Sequence, residues 1–105
     1  MNMWYLQQIR YTPVGEYLRL LILRRLSCGP AKVEEVDELA RRVVETLGVR
    51  YDWRVWPRLL EGEVEIRGGI AVITPRGRRI LELTGEEVAA YVRKRLGWRY
   101  ECLED

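Results

Sequence analysis

The sequence predicts an α+β domain, mainly α, on three observations. Apolar residues recur at helical spacing over 14–26 and again over 33–47. The stretch "EVEIRGGIAVIT" (63–74) carries two β-rich runs around Gly68-Gly69, a pair suited to the positive φ angles of a two-residue hairpin turn. "SCGP" (27–30), Gly48, Gly62 and Gly97 punctuate the chain between the patterned segments. With 105 residues, 48% hydrophobic and 32% charged, the chain is sized for one domain with its own core. We read 1–105 as that single domain, its core at about 14–83 and a C-terminal helix and tail at 84–105.

Residues 1–11 fit either a strand or a helical turn. Thr12 and Pro13 then resemble an N-cap followed by proline at the first helical position. Val14, Tyr17, Leu18, Leu21 and Ile22 form one face, and Leu20 and Leu23 widen it, so this helix should be central. A second helix is predicted over 31–47, with Val33, Val36, Leu39, Ala40, Val43, Val44 and Leu47 inward and Gly48 closing it.

"VRYDWRVWPRLLEG" (49–62) leaves two alternatives open. Asp52 can cap a third helix reaching residue 60 or 61, bent by Pro57, at a cost of ~3 kcal/mol for proline in the interior. The other possibility is a helix that begins at Pro57, with 50–56 a looser approach. Only the first keeps Arg50, Arg54 and Arg58 on one ridge. Trp53 and Trp56 are expected to pack in the core, because a chain without Phe needs bulk from elsewhere.

The two-residue turn sets the hairpin register: Arg67 opposite Ile70, Ile66 opposite Ala71, Val64 opposite Ile73. Val64, Ile66, Ala71 and Ile73 then share the face fit for burial. Thr74-Pro75 repeats the cap-plus-proline device and starts a further helix. Thr84 with Glu87 has capping-box spacing and starts or restarts a helix bearing Val88, Tyr91, Val92 and Leu96 on one side. The tail alternates Trp98, Tyr100 and Cys102, as an edge strand beside residues 4–10 would.

Composition narrows the function classes. There are 16 Arg against 2 Lys, no His, and three Asn and Gln together, a bias found in proteins from hot environments and also produced by genomic base composition. The net charge is +2, but residues 49–79 hold 7 basic and 4 acidic groups, so the middle is the positive part. No stretch approaches the ~20 apolar residues of a membrane span, and the start lacks a signal-peptide pattern, so a cytoplasmic protein is expected. Cys28 and Cys102 are too few for a zinc site. They are either reduced core thiols or a disulfide of the kind hyperthermophiles tolerate inside the cell. No His, one Ser (Ser27) and three Asp leave no catalytic constellation, so we expect no enzyme, metal or cofactor. No small-molecule pocket is evident either.

Three helices, a hairpin and a helix, with "ITPRGRRILEL" (73–83) and "DELARRV" (37–43), resemble the winged helix-turn-helix domain of archaeal and bacterial transcription regulators. The first stretch is similar to the second wing strand and the helix behind it, the second to the helix before the turn. The likeness covers about residues 14–83. It implies a small transcription regulator binding double-stranded DNA, with residues 51–60 as recognition helix and Arg67, Gly68 and Gly69 as the wing. It also implies a homodimer, which the C-terminal helix could hold together.

The candidate DNA-binding residues are therefore Arg50, Arg54, Arg58, Arg67, Gly68, Gly69, Arg76 and Arg78. Guanidinium groups fork onto phosphate or guanine. Arg76, Arg78 and Arg79 also sit in the first turn of a helix, where positive charge opposes the dipole unless an anion is near. The rival function is a winged-helix module for protein contact, without direct DNA binding, since one fold hosts both uses.

Overall fold

The structure is a computed structural model; it describes residues 13–46, 48, 50–51, 55–91 and 94, with 13–14 and 85–91 described by backbone alone. Its elements are α1 (Pro13–Ser27), β1 (Ala31–Lys32), α2 (Val33–Thr46), α3 (Trp56–Leu59), β2 (Val64–Arg67), β3 (Ile70–Ile73) and α4 (Pro75–Tyr91). The three strands form one antiparallel sheet in the order β1-β3-β2. Among the described residues the chain is thus mainly helical with a small sheet.

α1 is central, as its wide apolar stripe requires. Leu18, Leu20, Leu21, Ile22, Leu23 and Leu26 are all buried, and the helix packs against α2, α3, α4 and β3. It ends where "SCGP" predicts, with Gly29 at φ +142°. On α2 the 3.6-residue period holds: Val33, Val36, Ala40, Val43 and Val44 are buried and Leu39 packs partly against them. The start differs from the expectation. Ala31 and Lys32, read as the first turn of that helix, instead pair with Ala71 and Ile70 of β3. Val33 N–H donates to Gly69 O at 2.9 Å, so the sheet supplies the acceptor that the first N–H of α2 lacks within the helix.

The hairpin has the predicted register throughout, with Gly68 at φ +57° and Gly69 at φ +79° supplying the turn. One side chain departs from its predicted burial. Ile66 shares the inward face with Ala71 and Ile73, yet is 45% exposed while those two are buried. Here β2 is the edge strand, and all of it but half-buried Val64 is exposed.

For the third helix, the described residues fit the late start, one residue before Pro57, with 50, 51 and 55 non-helical and 52–54 outside the described residues. α3 is a single turn, Trp56–Leu59, with Pro57 in its first positions where the missing N–H costs nothing. Tyr51, Val55, Trp56 and Leu60 are buried, so the segment's apolar side faces the core. Tyr51 accepts the Val55 N–H through its hydroxyl at 3.2 Å. Trp56 is fully buried, as expected of it. The proposed cap Asp52 and Trp53 lie outside the described residues, as do residues 1–11, Gly97 and the tail strand.

Thr74 caps α4: its hydroxyl accepts the Gly77 N–H at 3.2 Å and donates to Gly62 O at 2.8 Å. The helix then runs unbroken through Thr84, which does not restart it. The Thr84 hydroxyl bonds back to Ile80 O at 2.9 Å, a satisfaction available inside a helix. Cys28 is exposed and disulfide-bonded, which corrects the reading of a reduced core thiol. The chain's other cysteine, Cys102, lies outside the described residues.

Gly77 makes a testable exception to helix propensity. Alanine normally improves on glycine in a helix by ~1 kcal/mol. Here a Cβ would overlap the Glu63 carbonyl oxygen and press on Ile73 Cγ1 and Leu23 Cδ2. Backbone and core cannot both yield, so Gly77→Ala should destabilise by about 1–3 kcal/mol in urea unfolding. A raised unfolding midpoint would contradict the close approach.

Candidate functional site

The described arginines of the central, positive part of the chain do not assemble as one helical ridge. Arg50 is exposed but precedes α3, and Arg58 lies on it. The one-turn helix Trp56–Leu59 does not include Arg50, so among the described residues Arg50 and Arg58 do not share a helical ridge. Arg54 lies outside the described residues.

At the hairpin tip, Arg67 is ion-paired to Glu65 at 2.6 Å, with side chains 78% and 51% exposed. Such a pair is weak, and solvent can exchange it. Gly68 and Gly69 form the tip as predicted, but the tip does not stand clear of the body. Gly69 O holds the first N–H of α2, and Lys32 pairs alongside Ile70.

The basic residues gather instead at the opposite end of the hairpin. α4 has Arg76, Arg78 and Arg79 in its first two turns and no acidic residue in its first turn. All three are exposed, as is Arg58. Among the described residues none of these four guanidinium groups is ion-paired.

Arg58 and Arg76 also line a cleft of about 250 Å³ between α1, α3 and the start of α4, together with Glu16, Arg19, Glu61 and Glu63. Two of its lining residues form an ion pair. Arg19 Nε and NH2 donate to Glu63 Oε1 and Oε2, each at 2.7 Å, in a two-pronged fork. Arg19 NH1 reaches Glu16 Oε2 at 3.3 Å. The Glu63 side chain is 5% exposed, and both of its oxygens accept from Arg19. The hydrogen bond to Glu63 raises Arg19 above the ordinary arginine range, against the lowering effect of its burial.

Sequence reasoning picked out Arg58, Arg76, Arg78 and Arg79 but missed the cleft and the Arg19–Glu63 pair. One signal was present: Arg19 stands between Leu18 and Leu20 on a helix whose neighbours are core residues. A charge so placed has to find a partner. Its partner, 44 residues away, could not be named from spacing.

Among the described residues no group of His, Cys, Asp and Glu could hold a metal ion, and no helix is long and apolar enough to cross a membrane. No family model matches the chain, and neither a curated protein nor a solved structure matches it.

Proposed function

We propose that the chain is a DNA-binding module of winged-helix type that holds duplex DNA by its phosphates. The element order and the β1-β3-β2 sheet support the fold. The observation that carries the function is the start of α4. Three exposed arginines stand at the positive end of a 17-residue helix, uncompensated by any described carboxylate. Each opposes the helix dipole by roughly 0.3–1 kcal/mol. A polyanion reverses the sign of that cost and gains a charge-assisted hydrogen bond to each fork.

The contact surface differs from the one that the resemblance implies. It comprises Arg58, Arg76, Arg78 and Arg79 at the base of the hairpin, with Arg50 and Arg67 secondary. A one-turn α3 offers little length to a groove, so phosphate holding dominates over base reading.

The test is an anisotropy titration with random duplex DNA at about 50 and 200 mM salt. With about four phosphate contacts, affinity should fall about 10²-fold between the two. Arg76→Glu or Arg78→Glu should lower affinity and flatten the salt slope. Solution mass measured alongside reads the homodimer expected through the C-terminal helix.

A protein-docking module is the second reading. Leu83 on α4, 78% exposed, and Ile66 on the open β2 edge favour it. That reading predicts no shift of duplex at low salt.

A further inference from the structure

We propose that the cleft between α1, α3 and α4 is a phosphate-binding subsite, with Arg58 and Arg76 as its two forks. It rests on the reading of these arginines as directed at phosphate, and names the place where one phosphate group is held.

Three arginines from three elements line one cavity of about 250 Å³. They are not equivalent. Arg19 has Nε, NH1 and NH2 all engaged by Glu63 and Glu16, so it is a fixed wall. Arg58 and Arg76 are unpaired among the described residues. Two like charges lining one small cleft repel each other, and a carboxylate is near. Glu61 lines the same cleft yet is ion-paired to neither.

Among the described residues no carboxylate engages either fork, so both can take an incoming anion. A phosphate group offers several oxygens to two planar forks at once. The volume is several times a water's share of the liquid, ~30 Å³, enough for a phosphate group with some of its hydration. It would not enclose a large ligand whole, so a phosphate carried by something larger must enter head first. Glu61 opposes the anion, which gives the site a signed dependence: neutralising it should tighten binding.

The experiment follows backbone amide NMR of the full chain during titration with inorganic phosphate, against chloride at matched ionic strength. Saturable shifts are expected at Leu59, Gly62 and Gly77. Arg58→Gln and Arg76→Gln should each weaken binding at least tenfold, and Glu61→Gln should strengthen it. Arg41→Gln, exposed on α2 and outside the cleft, should leave it unchanged. All four positions are exposed, and thermal unfolding of each variant reports that it is folded.

The absence of any shift beyond that with chloride overturns the proposal. So does an Arg41→Gln effect equal to those of the cleft arginines.

A parallel arm with duplex DNA separates the two sources of phosphate. Duplex that moves the same amides, and is weakened by Arg58→Gln, makes the DNA backbone the source. Phosphate saturating the cleft while duplex fails to bind leaves the subsite standing for a free phosphoester and ends the DNA reading. Duplex binding with the cleft amides unmoved keeps the DNA reading and ends this proposal.

Discussion

Arg19→Met should lower stability by about 3–5 kcal/mol in urea unfolding at neutral pH, because it strands the carboxylate of Glu63 in the protein. That side chain is 5% exposed and takes both of its short hydrogen bonds from Arg19. Methionine replaces the aliphatic length of arginine but none of its donors. The double variant Arg19→Met with Glu63→Leu removes the charge as well as its partner, and should recover most of the loss. A buried pair is costly to split but often neutral to replace as a unit. If the double variant is as unstable as Arg19→Met alone, the loss comes from packing rather than from a stranded charge. The backbone of Glu63 is a further reason to expect a large effect. Its carbonyl accepts Thr74 N–H at 3.0 Å, and the same carbonyl lies against Gly77. Displacing residue 63 therefore loosens the joint between the hairpin and α4. Arg76 of the cleft stands beside that joint on α4, so phosphate affinity should fall with stability in Arg19→Met and return in the double variant only if the joint is restored.

The parts of the fold that sequence expressed were those decided by neighbours along the chain. Gly68-Gly69 fixes a turn, the turn fixes the pairing of β2 with β3, and alternation follows from the pleat. α1 and α2 declare themselves by period and by the stops at "SCGP" and Gly48. Where long-range contacts decide, the sequence was silent or ambiguous. Ala31 and Lys32 have helical neighbours and become strand only because β3, about 40 residues later, supplies pairing partners. Pro57 is compatible with the first turn of a helix and with the kink of a longer one. The choice depends on burying Tyr51, Val55, Trp56 and Leu60 together. Ile66 is placed on the inward face by alternation, but whether anything covers that end of the face is a matter of tertiary layout. The candidate site follows the same division. Individual arginines were visible, whereas their distribution depended on α3 being one turn long. The cleft joins residues from 15 to 76 and has no local signature.

The same segment carries the second large effect. Trp56→Ala should destabilise the domain by about 3–5 kcal/mol, since it empties the volume of the largest fully buried side chain among the described residues. The indole is also a polar link: Nε1 donates to Asp37 Oδ1 at 2.7 Å, tying α3 to α2. Trp56→Phe keeps a ring and removes that donor, so it should cost less than alanine, about 1–3 kcal/mol for the carboxylate left without the bond. The difference between the two variants measures the cavity, and the phenylalanine variant measures the link. A third comparison bears on function. α3 has only one turn, Trp56–Leu59, and its own helical hydrogen bonds cannot hold it. Its position is set by Trp56 inside and by the Tyr51 hydroxyl at its entry. Arg58, two residues from Trp56, reaches the cleft only if that turn stays in place. Trp56→Phe should therefore weaken phosphate binding through Arg58 while leaving an Arg78 contact intact. Equal phosphate affinity in the two proteins would mean that the turn is held by something other than its tryptophan.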